Sequence, residues 1–424
     1  MTLISCRGSL RCFHFLRVAC SVMLLLIEAQ ADWPQFLGPT RDGVYAGKAL
    51  SERWPSEGPR QLWARAVGQG FSGPIAVGDR VFLFHRQNDR DLLECFEART
   101  GKTVWQEGVP ATYRDDFGFD EGPRATPAVQ EDRIVAIGAD ALVQCRNITT
   151  GKQIWEVDCR KKFGARKAFF GFAPSPLIQN GKVILAIGGT EGAGVIALNL
   201  DQGTLAWKSG EDEASHASPI ATTIQGRQRL LILTREALVS LNPLDGHELF
   251  RYPWRPSMSA SVSAATPLVI SDRVLLSASY GVGSVLLECS DSGAKPLWER
   301  KDALSSHYST SVTSEGFIYG FDGRQEQGCD LRCVEVTTGA VRWTQDGFGA
   351  GSVILAGKEL ILLSEKGELI RAAADPSAFK AKAKAQILPF LARAHPALSD
   401  GVLYARSKDK LFAHALAETL PSKP

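Results

Sequence analysis

Three stretches of this sequence concentrate side chains able to clamp an anion or exchange a proton. The first runs Tyr113-Arg114-Asp115-Asp116-Phe117-Gly118-Phe119-Asp120-Glu121-Gly122-Pro123-Arg124. The second ends Glu213-Ala214-Ser215-His216, and the third is Ser306-His307-Tyr308, followed at a distance by Arg324. Arg114, Asp116, Glu121, Arg124, Glu213, His216, His307 and Arg324 are therefore the candidate ligand-binding residues. Arginine forks recognise carboxylates and phosphates, and histidine is the usual general base near neutral pH. The competing reading is that these loops are polar because they face water, with Arg/Asp pairs stapling neighbouring elements. No catalytic residue is assigned. The chain carries no Gly-x-Ser-x-Gly elbow, no His-Glu-x-x-His motif and no Cys-x-x-Cys pair, so no metal site is expected.

Repeating elements must hold these loops. The end of a unit reads Thr-Gly-Lys-x-x-Trp at Thr100 to Trp105 and again at Thr150 to Trp155. Weaker copies lie at Gly203 to Trp207, Gly246 to Phe250, Gly293 to Trp298 and Gly339 to Trp343. Unit starts pair a small residue with proline: Gly73-Pro74, Thr126-Pro127, Ser175-Pro176, Ser218-Pro219 and Thr266-Pro267. His395-Pro396 follows the same form, and Ser311 and Ser352 mark starts without proline. Eight starts spaced 41 to 53 residues apart, each followed by hairpin signals such as Asn180-Gly181, predict four strands per unit. The expected fold is all-β: an eight-bladed β-propeller of four-stranded antiparallel blades. The last unit lacks a fourth strand, while Gln61 to Arg65 resembles a fourth strand with no unit before it. The N-terminal strand is therefore expected to close the ring.

Residues 1–31 read as a signal peptide, with Arg7, Arg11 and Arg17 ahead of the apolar run Val18 to Ile27 and a small-x-small site at Ala29-Gln30-Ala31. That run is shorter than the ~20 residues of a spanning helix, which weighs against an uncleaved anchor. The expected division is an N-terminal extension at 32–60, the propeller at 61–416 and a tail at 417–424. The mature chain, with no transmembrane segment, is expected in the periplasm or outside the cell, as a monomer. Of 48 basic and 46 acidic residues, three Arg and one Glu precede residue 32, so the remainder is balanced and no nucleic-acid partner is expected. Cys95, Cys145 and Cys333 each lie six residues before the repeat glycine, where other units have Ala197 and Ser240. That register reads as a small buried strand position occupied by free thiols.

The Trp-bearing repeat over residues 61–416 resembles the PQQ-like β-propeller family. That family includes quinoprotein dehydrogenases and the propeller lipoprotein of the outer-membrane β-barrel assembly machinery. Asp32-Trp33-Pro34-Gln35-Phe36-Leu37-Gly38-Pro39, with Arg41-Asp42-Gly43, is similar to the opening of exported PQQ-like proteins. For a dehydrogenase the resemblance implies PQQ held with Ca²⁺, an Asp base and often adjacent cysteines, and this sequence has no Cys-Cys pair. The expectation is a non-catalytic binding or scaffold propeller with no cofactor and a polar ligand site at its mouth. Its partner would be a protein, peptide or glycan. The alternatives are a PQQ-dependent or other oxidoreductase, a carbohydrate-active enzyme using the same mouth, or a component of an envelope assembly machine.

Overall fold

A computed structural model describes residues 2, 31–258 and 261–418. The signal peptide expected at 1–31 therefore lies, but for its ends, outside the described residues, as does most of the 417–424 tail. The chain forms eight sheets around one axis. Blade one comprises Ile75–Val77, Arg80–Gln87, Arg90–Glu97 and Thr103–Pro110. Blades two to seven repeat that four-stranded antiparallel meander in chain order. Blade eight takes Ala397–Ser399, Val402–Arg406 and Lys410–Ala415 and is completed by Gln61–Ala66, paired antiparallel to its third strand. Ring closure by the N-terminal strand is thus as expected, and it removes an exposed sheet edge. Ala381–Gln386, with alternating Ala and Lys, is the outer strand of blade seven.

The repeat residues do more than propensity requires. Each outer-strand indole donates to a carbonyl of the next blade: Trp63 to Ala98 at 2.9 Å, Trp105 to Ile148 at 3.0 Å and Trp155 to Leu200 at 2.7 Å. The same rings lie on the turn glycine of that next blade. A β-carbon on Gly101, Gly151 or Gly203 would come within 2.6 to 2.7 Å of them. These glycines have φ of +66° to +71°, so the position excludes side chains twice, by backbone and by contact. On its own strand pair, Trp105 faces Cys95, Trp155 faces Cys145, Trp207 faces Ala197 and Trp343 faces Cys333. A register shift follows each of these pairs and aims the indole at the neighbouring blade. The small residue is small because it sits opposite the tryptophan. All six described cysteines are buried with free thiols.

A second set of contacts runs part-way around the axis. In blades one to five the backbone N–H of the start residue donates to a hydroxyl at the start of the next blade: Gly73 to Thr126 Oγ1 at 3.0 Å, Thr126 to Ser175 Oγ at 3.0 Å and Ser175 to Ser218 Oγ at 2.9 Å. Ser218 to Thr266 Oγ1 at 3.3 Å and Thr266 to Thr310 Oγ1 at 3.0 Å continue the series. Crowding at the axis explains a small residue. The hydroxyl is explained by an inner-strand N–H that has no other partner once proline or an edge ends the ladder.

Residues 33–45 cross the bottom of the axis. Trp33 exchanges two backbone hydrogen bonds with Ala76 of blade one, and Pro34 accepts from Val129 of blade two. Arg41, 2 % exposed, donates to the carbonyls of Pro176 at 2.8 Å and Ser175 at 3.2 Å in blade three. Val44–Tyr45 then adds a parallel strand to blade seven. One segment thus ties four blades together and closes one end of the central channel. Asp32 caps it by accepting from the Gly78 N–H at 2.9 Å.

Candidate functional site: an aromatic cup on the propeller axis

The links between blades and the second-to-third-strand loops meet at the face opposite that floor, around a cavity of about 250 Å³. Phe36 reaches it from the crossing segment. Phe71, Phe119, Phe170, Tyr280 and Tyr308 supply aromatic walls, and Thr126, Ser175, Ser218 and Thr310 of the axial hydroxyl series lie below them. Closed at the floor and open at the mouth, the cavity is a cup.

The link preceding blade two is held rigidly over this cup. Arg86 is buried and forks onto Asp91, with Nε to Oδ1 at 2.7 Å and Nη2 to Oδ2 at 3.2 Å, while Nη1 donates to the Tyr113 carbonyl at 2.8 Å. Asp115 accepts from Tyr113 Oη at 3.0 Å and from the Phe119 N–H at 2.5 Å. Asp120 accepts from the N–H groups of Gly70 at 3.2 Å and Gly122 at 2.7 Å. Arg124 donates to the Asp120 carbonyl at 2.5 Å, and its guanidinium lies 4.6 Å from the Tyr113 ring and 5.9 Å from the Phe71 ring. From blade eight's link, Arg393 lies 5.8 Å from the same Phe71 ring. Its Nε and the Tyr308 hydroxyl both donate to Glu365 Oε1, at 2.8 and 2.6 Å. Burial, and then that carboxylate, push the Tyr308 phenol well up.

Three histidines face the cup, and all are held neutral. Burial, aided by Arg124, takes His216 down to about 3. Burial takes His395 down to about 4, with its ring between Trp33 at 6.1 Å and Phe36 at 5.8 Å. His307 is lowered by burial. Its Nδ1 must donate to Gln325 Oε1 at 2.5 Å, so its Nε2 accepts from the Tyr280 hydroxyl at 3.0 Å.

Of the eight residues singled out from the sequence, the structure brings Arg124, His216 and His307 to the cup wall. Arg324 stands behind, its guanidinium 4.8 Å from the Tyr280 ring and its Nε 3.6 Å from Glu326. The other four lie at the rim in ion pairs. Arg114 is paired with Asp89 at 2.9 Å and Glu121 at 3.4 Å, Asp116 with Lys167 at 2.6 Å, and Glu213 with Arg235 at 3.5 Å. Sequence reasoning missed Phe36, Phe71, Phe170, Tyr280, Arg393 and His395 as cup residues. The signal for Phe36 was present, in an invasive aromatic segment placed ahead of the first repeat.

Calcium takes six to eight hard oxygen ligands, several of them carboxylates. Among the described residues the carboxylate lining the cup is Glu326, and Glu365 behind it is committed to Tyr308 and Arg393. No group of three or more His, Cys, Asp or Glu is gathered as for a metal among the described residues. That donor set does not fit a PQQ–Ca²⁺ pair.

The sequence model of the family described as outer membrane protein assembly factor BamB matches residues 88–345, more than half of the chain. The chain belongs to this family. No curated protein matches the sequence. Among solved structures, BamB from Moraxella catarrhalis is similar with a TM-score of 0.62 at 13% identity, covering 86% of this chain and 99% of that one. Quinohemoprotein alcohol dehydrogenase from Comamonas testosteroni is similar with a TM-score of 0.66 at 11% identity, covering 93% and 82%. At these identities the likeness is one of fold, and the PQQ-like propeller is shared by family members with different roles. No helix among the described residues is long and apolar enough to cross a membrane.

Proposed function

We propose that this protein is an exported, non-catalytic binding propeller of the periplasm or cell exterior. In this reading it acts as a monomer and holds an apolar group of a protein or peptide partner in the axial cup. The observation that carries the reading is the floor: residues 33–45 bond to blades one, two, three and seven across the axis, and Phe36 of that segment lines the aromatic-walled cavity. Concave, mainly apolar sites with a few fixed polar groups are where ligands bind. Two of the cup's histidines support binding over turnover, since burial holds His216 and His395 down at about 3 and 4, and Glu365 behind the wall is occupied by Tyr308 and Arg393.

The test is calorimetric titration with N-acetyl-tryptophanamide. One site, weakened at least tenfold in Phe170→Ser, supports the reading, and no measurable binding overturns it. A second reading is turnover in the same cup, and the chain Tyr280–His307–Gln325, with its fixed tautomer, favours it. Addition of PQQ and Ca²⁺, read by thermal shift and dye reduction, distinguishes a quinoprotein from a binder.

A further inference from the structure

The cup does not stand alone. Phe117, Phe119, Phe169 and Phe170, from the two links that flank blade two, pack into one aromatic cluster. Phe117 and Phe169 stack at 4.7 Å, and Phe170 lies edge-on to Phe117 at 5.3 Å and to Phe119 at 6.1 Å. Yet Phe117 is 47% and Phe119 60% exposed. Phe119 and Phe170 also line the cup, so cluster and cup form one continuous surface. Contiguous exposed aromatic area of this kind marks an interaction site.

Size, chemistry and charge narrow the occupant. Pockets for drug-sized ligands measure roughly 300–1,000 Å³, and the cup's volume of about 250 Å³ fits a single large side chain. A small ligand confined to the cup would leave Phe117 and Phe169 in water, whereas a chain passing over the rim covers them. Phenylalanine has no hydrogen-bonding handle, which weighs against a sugar on this cluster. Guanidinium donors line the wall where the chain would enter. Arg393 is anchored through Nε on Glu365, and its Nη1 and Nη2 bond no protein atom among the described residues. Two parallel donors of this kind match a carboxylate. The carboxylates around the cup are engaged: Glu326 by Arg324, Glu365 by Arg393 and Tyr308, Asp115 by Arg124, and Asp120 by the N–H groups of Gly70 and Gly122.

We infer that the cup receives the aromatic side chain of a peptide segment bearing an adjacent carboxylate. The ring enters the cup, the carboxylate pairs with the Arg393 fork, and flanking apolar residues cover the four phenylalanines. This rests on the binding reading above and adds the ligand's class to it.

The test is fluorescence anisotropy with a fluorescein-labelled peptide, Gly-Ser-Trp-Glu-Phe-Ser-Gly, on the purified protein. Replacing its Trp by Ser should weaken binding at least tenfold. Replacing its Glu by Gln should weaken it roughly tenfold on the native protein and not at all on Arg393→Gln, as for a lost charge-assisted pair. The double variant Phe117→Ser/Phe169→Ser, outside the cup, should weaken the peptide about fivefold and leave N-acetyl-tryptophanamide binding unchanged. A peptide that binds no tighter than N-acetyl-tryptophanamide, or that ignores the double variant or the Glu replacement, overturns the inference while the cup reading stands. Failure of both probes to bind removes both.

Discussion

Gly203→Ala isolates the contact that joins the blades. Gly203 and Gly181 sit in two turns of blade three with nearly identical backbones, φ +66° and +67°. Placing alanine at either costs about 1 kcal/mol in left-handed strain. Around Gly181 a β-carbon meets nothing within 4 Å, whereas at Gly203 it would lie 2.6 Å from Trp155. The indole must then retreat, losing its 2.7 Å bond to the Leu200 carbonyl, about 1 kcal/mol, and part of its burial, about 2 kcal/mol. Gly203→Ala is thus expected to cost about 4 kcal/mol against about 1 kcal/mol for Gly181→Ala. Urea unfolding followed by circular dichroism measures both. Equal losses would refute indole docking as the source of blade cohesion.

Ser175→Ala removes the acceptor for the Thr126 N–H and should cost about 1–3 kcal/mol. Ser175→Thr should be tolerated, since Thr126 and Thr266 hold equivalent places, and urea midpoints compare them. Arg41→Met deletes the tether of the crossing segment to blade three. Limited proteolysis should then cut within residues 33–45 while the remaining propeller resists, and an unchanged digest would contradict the tether. Acid should destabilise the fold. His216 and His395 are depressed to about 3 and 4 from 6.5, so the unfolded chain binds more protons as pH falls below 6.5. Stability is full above 6.5 and declines toward pH 4 by up to about 1.4 kcal/mol per pH unit for each. Asp91, raised to about 6 by burial, works the other way below pH 6 and offsets one of the two. His307 and His414 are also lowered, so melting temperature should fall between pH 6.5 and 4.5. A flat or rising profile would contradict the buried neutral histidines.

The architecture was legible because its signals repeat. The Thr-Gly-Lys-x-x-Trp ends, the small-residue starts and the orphan strand at Gln61 each encode a contact that recurs around the ring. The cup was only partly legible. Link residues such as Arg124, His216 and His307 announced a mouth through their polarity, but the same polarity belongs to Arg114, Asp116 and Glu213, whose charges are spent on neighbours. Polarity alone does not say which loop residues turn inward. The aromatic character of the wall was hidden for a related reason. Phe36, Phe71 and Phe170 come from segments up to 134 residues apart, and only ring closure brings them together. Arg41 reads as one more charge in a polar turn, yet its burial defines the floor.

The most direct measurement is a crystal structure of the protein soaked with N-acetyl-tryptophanamide. The account predicts density for the indole on the axis, above Phe36 and between Phe71 and Phe170. Density at the opposite end of the ring, or an axial channel open where residues 33–45 should cross it, would contradict it.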